Sequence, residues 1–454
     1  MPFSICATDC TLSFALIAFL FLVACQPTPS TEAVVNKADG EFLEAIAATA
    51  VPSQSYAACE KWVEEFHDGN LNCHFNADII MPVSPSYPVF HVARRTVDSL
   101  VLEDFLDYFL DQPQRAYETT RTAEDIKEEL EAVARGAVDY RDGAIVYEPF
   151  EGQEDRIAAL QEELRNVPEN MIYFDPESLD LAMRPFRYSF EQSDSTVWQV
   201  NATDSALFAS KFHLGIMQLQ SLVAAGDAYP GEPVGTIIDV PFEQSRAEEC
   251  ALQAAREIGA TNMGIANIEA ARIIRRYTYE IMSVGWLVTL CRTDGDSLPI
   301  DINRMSFAGV LQYEPCEFMA PWRPEALTMY IDENGIGWVS WENPIRIVST
   351  ANENVTLLPF DQIQEKARNI IKYGTKWTEN SDQRYIDITV NSLTLTNTLM
   401  RTDNSVDQAV LAPTWLIEYV DNDDATGIPT IIALNAIDGT RVDPVMSMMA
   451  VPTA

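Results

Sequence analysis

Basic residues are scarce in this chain. Its 454 residues carry 30 Lys and Arg against 68 Asp and Glu, a formal charge of −38. A body this acidic repels phosphate backbones and anionic lipid head groups, which argues against nucleic-acid binding and against a polybasic membrane clamp. Histidine is scarcer still, with four copies: His67, His74, His91 and His213. The sequence has no G-x-S-x-G, no H-E-x-x-H and no G-x-x-x-x-G-K-[ST], so the common local signatures of serine hydrolases, zinc peptidases and P-loop enzymes are missing. Carboxylates are too abundant to single out two as an acid and base pair. What is plentiful is core-forming material: 47% hydrophobic and 10% aromatic residues exclude a disordered or fibrous chain.

Long apolar runs are also missing. Thr11 to Ala24 (TLSFALIAFLFLVA) is about fourteen residues, within the range of a signal-peptide core and short of the roughly 20 that span a bilayer. It ends at Leu22-Val23-Ala24-Cys25, which resembles a bacterial lipobox. That resemblance implies cleavage before Cys25 and lipidation of its thiol, with 1–24 removed. Two acyl chains anchor stably without basic residues, since each buried CH₂ contributes about 0.8 kcal/mol. The segment MPFSICATDC departs from the pattern in having no Lys or Arg, which an atypical start codon explains. A plain secretory signal cut elsewhere is the alternative.

Of eight cysteines, Cys6 and Cys10 leave with the signal and Cys25 carries lipid. Cys59, Cys73, Cys250, Cys291 and Cys316 remain, an odd number that excludes a complete disulfide framework. Cys59 and Cys73 are spaced for a bridge, but buried free thiols fit most of the five better. Residues 25–40, rich in Pro, Ser, Thr and charge, read as a tether.

A mixed region, 41–235, follows. Leu71, Cys73, Phe75, Ala77 and Ile79 alternate with polar residues, the period of a half-buried strand, and Tyr87–Arg95 reads as its successor. Asp98 to Tyr108 has helical spacing. Thr122 and Asp125 are placed as a capping box opening a helix over Ala123 to Arg135, with Gly136 suited to a left-handed C-terminal position. A third helix is expected over Gln153 to Arg165, stopped by Pro168, and β-like alternation returns after it.

Beyond residue 235 a weak repeat is visible. Val240-Pro241-Phe242-Glu243-Gln244 and Leu358-Pro359-Phe360-Asp361-Gln362 each open a helical stretch with an acidic residue at its start. Gly285-Trp286-Leu287-Val288-Thr289 and Thr414-Trp415-Leu416-Ile417-Glu418 then read as strand cores. Asn334-Gly335 signals a hairpin, and Asp438-Gly439 a turn. The expected class is α+β: an N-terminal mixed region followed by two tandem helix-on-antiparallel-sheet modules, 236–350 and 351–454.

Helix, strand, Trp-Leu strand and the closing Asn435-Ala436-Ile437-Asp438-Gly439 resemble PepSY-like and YycI-like extracytoplasmic modules. Over most of the mature chain, from Cys25-Gln26-Pro27-Thr28-Pro29 through Leu357-Leu358-Pro359-Phe360-Asp361, the sequence is similar to uncharacterised Gram-positive surface lipoproteins, a domain of unknown function. The first resemblance implies protein-binding roles such as peptidase inhibition or modulation of sensor kinases. YycI-type proteins keep a membrane helix, whereas this chain is expected to be cut. The second implies a lipid-anchored location on the extracytoplasmic face of the cell membrane and carries no chemistry.

Candidate ligand sites are few. His67, Cys73 and His74 lie close in sequence, but Cys73 and His74 are strand neighbours and point to opposite faces, so they cannot share one metal ion without a bend. Asp421-Asn422-Asp423-Asp424 fails the spacing of a calcium loop and reads as a turn, as does Asp294-Gly295-Asp296. Trp286, Trp338, Trp341 and Trp415 are stacking candidates for sugars, although Trp338 and Trp341 must face opposite sides of a strand. The expectation is a non-enzymatic surface protein without cofactor or metal, partnered by an envelope or membrane protein. A solute- or glycan-binding lipoprotein is the alternative.

Overall fold

The computed structural model describes residues 58–81, 86–96, 98–111, 113–119, 121–141, 144–167, 172–183, 185–204, 212–218, 221–225, 238–275, 280–293, 325–374, 386–401, 408–422 and 429–442. Cys25, Cys316, the 294–296 turn and Asp423-Asp424 lie outside them. Among the described residues strands dominate, in two large sheets, with five α-helices.

The eight-stranded sheet combines the two ends of the described chain. β1 (Lys61–Asp68), β2 (Leu71–Ile80) and β3 (Val89–Arg94) come from the first; β15 (Ile345–Asn352), β16 (Ile386–Arg401), β17 (Gln408–Asp421), β18 (Thr430–Asn435) and β19 (Arg441–Val442) come from the second. Its path is β1-β2-β16-β17-β18-β19, with β3 pairing the start of β17 and carrying β15 outward. β2 runs parallel to β16, Leu71 opposite Ile386 and Phe75 opposite Val390; the other pairs are antiparallel. The expected alternation in β2 is present: Leu71, Cys73, Phe75 and Ala77 are buried. They meet helix α5 (Phe360–Gly374), whose Phe360, Ile363, Ala367 and Ile371 recur at helical spacing on one buried face.

The nine-stranded sheet is inserted between β3 and β15. Its strands are β4 (Arg115–Glu118), β7 (Phe186–Glu191), β8 (Val197–Asp204), β9 (Phe212–Gln218), β10 (Ser221–Ala225), β11 (Met263–Arg275), β12 (Ile281–Arg292), β13 (Ala326–Asp332) and β14 (Gly335–Glu342). All pair antiparallel, in the order β10-β11-β12-β13-β14-β9-β8-β7-β4. Helices α1 (Ser99–Phe109) and α4 (Gln244–Glu257) share one core with Val288, Leu290, Leu327, Met329 and Trp341 on a single face of this sheet. The buried stripe of α4 is Ala247, Ala251, Ala254 and Ala255, small side chains that let its backbone lie close on β11 to β13. Between β12 and β13, Gly285 is required: a Cβ there would stand 2.1 Å from the carbonyl oxygen of Ile331.

The remaining helices, α2 (Ala123–Arg135) and α3 (Gln153–Asn166), pack on each other beside a two-stranded ribbon, β5 (Ala137–Arg141) and β6 (Ala144–Glu148). The capping box forms as expected, with Asp125 N donating to Thr122 Oγ1 at 3.1 Å and Thr122 N to Asp125 Oδ2 at 2.7 Å. Gly136 does not adopt the expected left-handed helical conformation. Its φ is 111° and ψ 180°, because the chain passes directly into β5 and a Cβ would strike the Glu148 carbonyl.

The expected class, an α+β chain ending in two tandem helix-on-antiparallel-sheet PepSY/YycI-like modules, is corrected by this arrangement. The protein is mostly β, and its two sheets are large composites. The first Trp-Leu strand is β12 of the nine-stranded sheet, and the second is β17 of the eight-stranded one. β17 is bonded to β3 and its neighbour β16 to β2, both from the opposite end of the chain. The two sequence repeats therefore mark similar local elements and not self-contained units.

Candidate functional site

Both described helices on the nine-stranded sheet cover the same face, so side chains of opposite parity point away from them. Strand register lines these up in two rows that cross the strands. One row runs Asn201, Gly215, Ser340, Thr328, Thr289, Asn267, each opposite the next on adjacent strands β8, β9, β14, β13, β12 and β11. The next runs Tyr117, Ser189, Gln199, Met217, Trp338, Tyr330, Leu287, Glu269. Neighbouring strands are roughly 4.8 Å apart, so the longer row extends roughly 34 Å.

From Asn201 to Asn267 the first row is uncharged and rich in hydrogen-bonding groups, and beyond Asn201 the exposed Arg187 of β7 continues it with a charge. Asn201, Thr328, Thr289 and Asn267 are half-buried, and Ser340 is buried. Thr328 Oγ1 donates to Thr289 Oγ1 at 3.4 Å, and Asn267 Nδ2 to Glu269 Oε1 at 3.4 Å. The second row is amphipathic. Trp338 and Leu287 pack on Tyr330, whose hydroxyl shares a 2.8 Å hydrogen bond with Ser283; burial pushes this phenol up to about 12. Charge enters at the margins. Burial raises the Glu269 carboxyl, and Arg115 chelates Glu191 at 2.7 and 2.9 Å while lying 4.2 Å over the Tyr173 ring.

The four tryptophans separate accordingly. Trp341 and Trp286 belong to the helix-covered core, where the Trp286 indole donates to Phe242 O at 3.1 Å. Trp415 is fully buried in the eight-stranded core against Phe360, their rings 5.3 Å apart. Trp338 alone of the four lies on the face of the nine-stranded sheet opposite the described helices, half-buried against the buried Tyr330. Alternation had placed Trp338 and Trp341 on opposite sides, and the structure does so. The rows themselves were not visible in sequence, since they join residues from six or more strands spread over 117–340.

The histidine cluster resolves in the same manner. Cys73 is buried in the core, and desolvation pushes its thiol up to about 12. His74 lies on the outer face of the eight-stranded sheet, 3.3 Å from Glu65 and 3.4 Å from Asp387. His67 pairs with Asn72 on that face. No metal-holding group of three His, Cys, Asp or Glu occurs among the described residues. Cys59, exposed, and Cys73, buried, make no bridge with each other, and neither Cys250 nor Cys291 is disulfide-bonded. At the end of β17, Asn422 bonds Asp387 and Thr389, tying the acidic turn back to β16.

A second cluster joins the two sheets. Glu325, fully buried, takes Arg292 Nε at 2.6 Å and Trp341 Nε1 at 3.0 Å. Arg292 Nη2 donates to Ile345 O, the first residue of β15, at 2.8 Å. Arg95, just past β3, donates to Gly259 O at 2.9 Å and lies 5.2 Å over Trp341. Glu325, Arg292 and Trp341 are buried and Arg95 is half-buried, a structural clamp where the chain passes between sheets.

No protein-family model matches the chain, and no curated protein matches it. Among solved structures it is similar to an uncharacterized protein from Eubacterium rectale ATCC 33656, with a TM-score of 0.40 and 10% identity, covering 90% of this chain and 99% of that one. Among the described residues no helix is long and apolar enough to cross a membrane.

Proposed function

We propose that the protein is a non-enzymatic binding protein, held on the extracytoplasmic face of the cell membrane by lipid on Cys25, that engages an envelope or membrane protein through the face of the nine-stranded sheet opposite its described helices. The observation that carries this reading is the depletion of charge along the two rows. In a chain with 22% charged residues, the stretch from Asn201 to Asn267 and from Tyr117 to Leu287 has none. Protein interfaces have such centres, poor in charge and enriched in Tyr, Trp and Met, with charged groups at the rim. Arg187, Glu269, Arg115 and Glu191 occupy the rim here.

A photoreactive amino acid replacing Trp338 should cross-link a discrete envelope protein in intact cells, while the same probe at Glu103 on α1 should not. Equal patterns at both positions, or none at Trp338, would remove this face from consideration. A solute or glycan ligand would instead raise the melting temperature of the isolated protein by mass action, so a panel of sugars and peptides separates the two readings.

The anchor is tested separately. Cys25→Ser should move the protein from the membrane fraction to the soluble fraction and abolish incorporation of labelled fatty acid, because two acyl chains account for the whole of the membrane affinity. Retention in the membrane fraction would contradict lipid anchoring through this residue.

A further inference from the structure

We propose that two copies of the chain pair edge to edge through β1, antiparallel, with Val63 on the two-fold axis. An edge strand presents unpaired backbone groups, and folded proteins ordinarily blunt such edges. The other margins of the two large sheets are shorter or irregular, β10 having five residues. β15 has register shifts at Ile347/Ser349 and Thr350/Asn352, β19 has two residues, and β4 is short and exchanges hydrogen bonds with Phe174 on its outer side. β1 differs: eight residues, Lys61–Asp68, pair β2 without a bulge, and β2 is its partner among the described residues.

The orientation of the free groups follows from one hydrogen bond. Ile79 N donates to Glu60 O at 3.0 Å, so Glu60, Trp62 and Glu64 face β2. Antiparallel ladders alternate, so the backbone groups of Lys61, Val63 and Glu65 face the open edge. The side chains of these same three residues lie on the outer face, and Val63 is 71% exposed, among the most exposed large apolar residues described.

The register follows from charge. Because backbone direction and side-chain face both alternate, the two-fold axis must fall on a residue, and centring it on Glu64 or on Glu65 would set that carboxylate against its own copy, which is unfavourable. Shifting the axis to Val63 sets Val63 against its own copy and Lys61 against Glu65 of the other copy, twice. Each of these three positions then exchanges a pair of backbone hydrogen bonds. On the inner face Trp62 meets the other copy's Glu64, whose charge is already matched within its own chain by Arg368 at 2.8 Å. Lys61 and Glu65 have intramolecular partners in Asp78 at 3.7 Å and His74 at 3.3 Å, but these are exposed and weak. The contact is self-complementary, as a two-fold interface requires.

Sedimentation equilibrium of the signal-free chain tests the proposal. The wild type should show a concentration-dependent dimer. Glu65→Lys, which places two lysines opposite each other twice, should weaken the dimer at least about tenfold while circular dichroism stays unchanged. Lys61→Glu with Glu65→Lys restores opposite signs and should recover dimerisation. A wild-type monomer at every concentration overturns the proposal. So does a Glu65→Lys variant that dimerises as well as the wild type, or a folded double variant that remains as weak as the single one.

Discussion

Replacing Arg292 by Met is expected to destabilise the protein by about 3–5 kcal/mol, the range for removing one partner of a buried ion pair. Glu325 is fully buried, and Arg292 is the cation beside it. With Met at 292 the carboxylate keeps the Trp341 indole but loses its charge partner, and the Ile345 carbonyl loses its donor. The same loss has a pH signature. Burial pushes the Glu325 carboxyl above its ordinary value, while Arg292 and Trp341 pull it down. A carboxyl with a raised folded-state value binds its proton more tightly in the folded protein. Stability therefore falls as pH rises from the ordinary Glu range through that raised value. Without Arg292 the upward push is less opposed, so the variant should lose more stability than the wild type as pH rises above the ordinary Glu range. Urea denaturation over a pH series reads this directly. Arg292→Met combined with Glu325→Leu removes the stranded charge and should recover much of the loss. Equal wild-type and Arg292→Met midpoints at pH 7 would show that the clamp contributes nothing.

Trp415→Ala is the second large effect, with an expected cost of about 3–5 kcal/mol from lost burial and the cavity left behind. Its ring sits on β17 opposite Leu395 of β16 and Leu434 of β18, and under Phe360 of α5. Four elements thus lose packing at once, and surrounding backbone in a continuous sheet has little freedom to collapse. The measurement is the denaturation midpoint together with near-ultraviolet circular dichroism. A cost below about 1 kcal/mol would mean that this core repacks freely, contrary to the density of protein interiors.

Much of the local structure was legible in the residues. Asp98 caps α1 by accepting from Val101 N, the Thr122/Asp125 box opens α2, and helices begin at Gln244 and Phe360 beside the acidic openers. The hairpin at Asn334-Gly335 forms between β13 and β14, with Gly335 at φ 123° and Asp332 opposite it. Each of these depends on neighbours within a few positions. Burial alternation in β2 and the opposed faces of Trp338 and Trp341 also follow from strand geometry alone.

The tandem-module expectation failed because short matches report element type and not pairing. Pro-Phe openers and Trp-Leu cores appear twice since a helix start and a buried strand have similar local requirements. Whether β2 pairs a strand near it or β16, more than 300 positions away, depends on which arrangement buries Leu71, Phe75, Ile388 and Val390 together with the apolar face of α5. No periodicity encodes that choice.

The residues alone therefore determined the acidic charge, the caps, the turns and the inward face of individual strands, because these follow from backbone geometry and nearest neighbours. The tertiary structure decided which strands share a sheet. With that it decided that Asn201 to Asn267 form one uncharged row, that Arg292 and Glu325 meet away from water, and that β1 is an unbulged edge among the described residues. Those are properties of register across strands, set by joint burial of two large cores.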